Sequence, residues 1–79
     1  MMYSTYIIFS DSKKKYYVGH SSDMNERLKR HNSYLVQSTK YGVPWKLIHK
    51  EIFDSREKAV RKEKQIKKRG AARYLNDIG

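Results

Sequence analysis

The sequence predicts a small α+β fold in which three antiparallel strands form one sheet and helices pack against it. Three observations predict it. Tyr3 to Phe9 and Lys15 to Gly19, rich in tyrosine, isoleucine and valine, flank a polar turn in the manner of a hairpin. Asp23 and Asp54 each precede a segment with apolar residues at helical spacing. Between those segments Trp45 to Phe53 alternates as a third strand. The 79 residues make one domain, 1-79, with little room for a second core.

Each element follows in order. The hairpin turns through Ser10-Asp11-Ser12-Lys13-Lys14, and Gly19 ends its second strand, where a glycine marks close backbone approach or an unusual dihedral. Asp23, with Glu26 on the next turn, has the form of a capping box for a helix to His31. Met24, Leu28 and His31 fall on one face of that helix, with Arg27 alongside. Ser33 to Val43 is a loop that closes on Gly42-Val43-Pro44. In the third strand, Trp45, Leu47, His49, Glu51 and Phe53 point to one side and Lys46, Ile48, Lys50 and Ile52 to the other. Apolar residues on both sides mark a central strand covered twice. Asp54 caps a second helix, with Glu57 at the capping-box position; it runs to Lys68 or Arg69 before Gly70 breaks it. Ala71 to Ile78 form a last short helix.

Charge narrows the function. Lysine and arginine total 18 against 8 acids, a net charge of +10 that draws polyanions. DNA or RNA is the expected partner, ahead of an anionic membrane. No apolar run approaches the roughly 20 residues of a membrane span, and the start has no signal-peptide pattern. The absence of cysteine excludes disulfides, thiolate nucleophiles and thiolate-bound zinc, and it fits the cytoplasm. His20, His31 and His49 do not have the spacing of a metal-ligand cluster.

Glu63 is the residue out of place. It shares a face with Val60 and Ile66 on an otherwise basic amphipathic helix, where a carboxylate is costly to bury unless paired or metal-bound. Lys67, one turn on, is the plain alternative partner. Tyr6 and Tyr17 lie roughly opposite across the hairpin if it turns near Ser12, so that their hydroxyls converge; a simple aromatic pair is the alternative. Arg27, at a helix edge, has a fork of donors suited to phosphate, and His31 lies one turn beyond it.

Taken in order, Ser4-Thr5-Tyr6, Tyr17-Val18-Gly19, Arg27 and Glu63 resemble the signature of the GIY-YIG nuclease superfamily. Tyr17 to Asn32 is the most specific stretch, and Ala59 to Lys68 is similar to the small stand-alone bacterial members. The resemblance covers Met2 to Ile78. The first motif keeps only its tyrosine, and Asn76 matches the family's C-terminal asparagine by position alone. The resemblance implies a metal-dependent endonuclease that hydrolyses phosphodiester bonds in DNA. Glu63 would bind one Mg2+ (or Mn2+), Arg27 would neutralise the phosphoryl oxygens, and Tyr6 or Tyr17 would orient or deprotonate the attacking water. A tyrosine base needs a neighbouring cation or metal to lower its pKa from about 10. Arg27, His31 or Lys40 could supply that help, and His20 stands where it could touch the scissile phosphate.

Arg30, Lys40, Arg61, Lys64, Lys67 and Lys68 complete the expected nucleic-acid surface. A solvated charged face is the bland alternative to it. With no specificity module in view, the domain is expected to read nucleic-acid shape, and a protein partner could supply further specificity. The competing function is a non-catalytic basic nucleic-acid-binding module that retains the fold.

Overall fold

In the computed structural model, which describes residues 1–79, the chain runs β1 (Tyr3–Ser10), β2 (Lys15–Ser21), α1 (Met24–His31), a 3-10 turn at Lys40–Gly42, β3 (Trp45–Phe53), α2 (Arg56–Arg69) and α3 (Ala71–Ile78). The strands form one antiparallel sheet in the order β2-β1-β3. The expected α+β class holds, with its three strands and three helices.

The central strand is β1, not β3. Thr5, Tyr6, Ile7 and Ile8 are at most 1% exposed, as only a strand covered on both faces can be. β3 lies at the sheet edge, and Leu47, Ile48 and Ile52 on it remain exposed. A bulge explains the mixed pattern. Ile7 pairs with His49 but Ile8 pairs with Leu47, leaving Ile48 as an extra residue. One added residue exchanges the faces of everything beyond it. Leu47 and Trp45 therefore join Ile8 and Ser10 on one face, while His49 and Glu51 join Ile7 and Thr5 on the other.

Each face has its own core. Tyr6, Ile8, Met24 and Trp45 pack together on the α1 side, with Tyr17 and Leu28 against them. Ile7, Val18, Ile66 and Tyr74 pack on the α2–α3 side, where the Thr5 hydroxyl donates to the Ala59 carbonyl at 2.7 Å. Asp23 caps α1 as expected, its side chain accepting from the Glu26 amide at 3.1 Å. The α2 cap is Ser55 and not Asp54. The Ser55 hydroxyl accepts from the Lys58 amide, whereas Asp54 pairs with the Lys58 side chain at 2.8 Å. No helix is long and apolar enough to cross a membrane.

Candidate active site

β2 continues past Gly19 to Ser21, and the glycine faces Tyr6 across the pair. A Cβ at Gly19 would lie 2.5 Å from the Tyr6 hydroxyl oxygen, so the missing side chain makes the space that the phenol fills. Tyr17 pairs with Ile8 rather than Tyr6, which makes the two tyrosines diagonal neighbours on one face. They meet through a third residue. The Tyr6 hydroxyl is 2.7 Å from His31 Nε2, and the Tyr17 ring lies 4.9 Å from the His31 ring, centroid to centroid. On its other side His31 Nδ1 is 3.0 Å from the Thr39 hydroxyl. Thr39, His31 and Tyr6 thus form one buried hydrogen-bonded chain.

The electrostatics fix the protonation of that chain. Burial, joined by the nearby Arg27 charge, pushes the His31 pKa below its ordinary value, so the ring is neutral and one nitrogen accepts while the other donates. Burial pushes the Tyr6 hydroxyl far above its ordinary value. Tyr17 and Glu63 add to that rise and Arg27 opposes it without reversing it. Arg27 therefore does not make a phenolate of Tyr6, as help to a tyrosine base would require. Lys40 does not join the tyrosines; its ammonium sits 4.9 Å over the Tyr41 ring.

Glu63 projects from the middle of α2 and is only 15% exposed. One carboxylate oxygen is 2.5 Å from His20 Nδ1 and the other accepts from Lys67 Nζ at 2.7 Å. Burial pushes the Glu63 pKa up, but the hydrogen bonds and charges of Lys67 and His20 outweigh it and leave the carboxyl below its usual range. The carboxylate is thus charged at neutral pH. The intrahelical Lys67 pair is present, and His20 on β2 is a second partner that helical spacing alone could not reveal. His20 also lines a polar pocket of about 270 Å³ with Tyr3, Ser21, Ser22, Arg27 and Arg56. Neither arginine has an acidic partner within ion-pair distance.

No three histidine, aspartate or glutamate side chains converge anywhere in the chain. A cation here would be held by Glu63 alone, with water and substrate phosphate completing its shell. That donor set fits Mg2+, which keeps most of its waters, better than zinc or calcium.

The remaining basic residues lie outside this cluster. Arg61 pairs with Glu57 on the outer face of α2, and Lys64 lines a shallow groove beside it. Lys68 borders a separate groove between α2 and α3. Arg30 is exposed near the end of α1, without an acidic partner. Sequence reasoning missed Thr39, Tyr3 and Arg56. Only Arg56, as a cation at the start of α2, carried any signal.

Two tyrosines on paired strands, an arginine on the first helix and a glutamate on the helix after the sheet define a class of site on this fold. The GIY-YIG catalytic domain family matches residues 2–76, and the chain belongs to that family. A UPF0213 protein from Syntrophus aciditrophicus is 38% identical over 73 residues, covering 90% of this chain and 84% of the relative. UPF0213 proteins of Streptococcus pyogenes are 39% identical over 57 residues, which is 71% of this chain and 62% of theirs. The solution NMR structure of the UPF0213 protein BH0048 from Bacillus halodurans superposes with a TM-score of 0.59 at 25% identity. That superposition covers 99% of this chain and 83% of the neighbour.

Proposed function

We propose that this protein is a divalent-metal-dependent endonuclease that hydrolyses phosphodiester bonds in DNA, selects substrates by shape and works in the cytoplasm. One observation carries the reading. A half-buried, charged glutamate faces a strand whose next residues line a pocket with two unpaired arginines. A carboxylate beside that pocket repels a bare phosphate and suits one that arrives with a cation.

Each residue has a task in that reaction. Glu63 would hold the cation, and His20 fixes the orientation of its carboxylate from β2. Lys67, 54% exposed, is the partner free to swing away when a cation arrives. The bound cation would polarise the phosphate and lower the pKa of the attacking water. Arg27 neutralises charge that grows on the phosphoryl oxygens. Tyr17, half-buried against His31, is the tyrosine open to water and orients it. Tyr6 is enclosed between Gly19 and His31 and keeps the imidazole in place. The water oxygen forms its bond to phosphorus as the bond to the leaving nucleotide oxygen breaks, the water giving up a proton to solvent and the leaving oxygen taking one from it. The net charge of +10 supplies affinity for the backbone. A protein partner could add sequence or structure specificity.

Labelled duplex, single-stranded and branched DNAs, incubated with magnesium, manganese or chelator, test this reading. Metal-dependent cutting that Glu63→Ala and Arg27→Ala reduce by at least about a hundredfold, with binding kept, is the expected result. Salt-sensitive binding with no cutting on any substrate would favour the binding module.

A further inference from the structure

A groove between the hairpin turn and the loop after α1 has chemistry that the nuclease reading leaves unused. Its volume is about 380 Å³, and Lys13, Lys15, Tyr17, Ser38, Tyr41 and Trp45 line it, with no carboxylate among its lining residues. Its far wall is a built feature. A Cβ at Gly42 would come within 2.4 Å of the Trp45 ring, so glycine lets the loop lie flat against the indole. The Trp45 indole N–H donates to the Thr39 carbonyl at 2.8 Å, which ties loop and strand together. Tyr41, in contrast, is 68% exposed at the groove's mouth.

The rim carries one sign of charge. Lys13, Lys15 and Lys40 have no acidic partner within ion-pair distance, and Asp11, the nearest acid in the hairpin turn, is taken by Lys46 at 2.8 Å. Exposed aromatic surface beside unpaired ammonium groups is the composition that binds single strands, where rings stack on bases and cations follow phosphates. The groove also joins the reactive cluster. Tyr17 lines it, and its ring is 6.2 Å from the Trp45 ring and 4.9 Å from the His31 ring. In a duplex the base faces are covered by their stacked neighbours, so a base must be unpaired to enter.

We infer that this groove receives an unpaired nucleobase of the DNA substrate, stacked against Tyr41, with Lys13 and Lys15 on the flanking phosphates. The inference rests on the nuclease reading and deepens it. The bond presented to Glu63 and Arg27 then belongs to a single-stranded or locally unpaired nucleotide.

Binding measured in chelator, where no cutting occurs, separates this inference from the catalytic one. Trp45 is the chain's one tryptophan, and its emission reports the groove. A short single-stranded oligonucleotide is expected to change that emission and to bind more tightly than a duplex of equal length. Tyr41→Ala should weaken the single strand about tenfold and leave the duplex unchanged, while Tyr41→Phe retains affinity. The exposure of Tyr41 keeps the fold out of the comparison, and circular dichroism verifies it. An unaffected single strand, or equal loss on both forms, overturns the base groove alone. A parent that binds neither form overturns it together with the nuclease reading.

Discussion

At the residue scale, Gly19 and His31 hold the two tyrosines in place. Gly19→Ala would drive a methyl group into the Tyr6 phenol, whose Cζ lies 2.7 Å from the Cβ position. A cost of about 1–3 kcal/mol is expected in urea unfolding, with lowered cleavage because Tyr6 no longer steadies His31. Wild-type stability in that variant would contradict the packing. His31 makes stability depend on pH. Unfolded, it takes a proton near its ordinary pKa of 6.5; folded, burial and Arg27 hold it neutral to lower pH. Above pH 6.5 neither state binds that proton. As pH falls below 6.5 the unfolded chain binds it first, and stability declines until the folded pKa is reached. The urea midpoint should therefore drop between pH 7.5 and 5.5, and His31→Gln should flatten that drop. Gly19 was legible as a place of close approach or unusual dihedral, but not that the Tyr6 ring fills it, because the hairpin sets Gly19 and not Tyr17 opposite Tyr6. Thr39 was not legible at all: its contact with His31 exists only once the loop has folded back over α1.

At the scale of elements, α2 matters most because it carries Glu63 to His20. Helical spacing revealed the face that Val60, Glu63 and Ile66 share, and the structure keeps Ile66 in the core. Its start was misplaced by one residue, since Asp54 and Ser55 are both good caps and only backbone geometry chooses between them. Ser55→Ala should cost about 1 kcal/mol in thermal or urea unfolding. Asp54→Ala removes only an exposed pair with Lys58 and should cost less. The opposite ranking would return the cap to Asp54. β3 was misjudged for a different reason. Alternation assumes an unbroken strand, and nothing in the residue types around Ile48 announces a bulge. The same bulge sends Glu51 to the α3 side, where the Tyr74 hydroxyl donates to it and His49 lies 2.9 Å away. The α3 helix is thereby tied to the sheet.

At the scale of the whole molecule, most of the positive charge lacks an acidic partner. Lys67 pairs with Glu63, yet Arg27, Arg56, Lys13, Lys15, Lys64 and Lys68 have no acidic partner. Their phosphate contacts should make the logarithm of affinity fall linearly with the logarithm of salt concentration. A salt-insensitive complex would remove the polyanion from the account. Fold class and family were legible because four motif elements fall in order on strand, strand, helix and helix. The convergence of His20 with Glu63, and of Arg56 with Arg27, depends on tertiary packing that no local pattern carries. The most direct measurement is single-turnover cleavage of labelled DNA in magnesium by the parent and by Glu63→Gln, which preserves shape and removes the charge. Cutting by the parent, with loss of at least about a hundredfold in the variant and unchanged DNA affinity, is the predicted result. Equal cutting by both proteins would contradict the assignment of Glu63 as the cation-binding centre of the site.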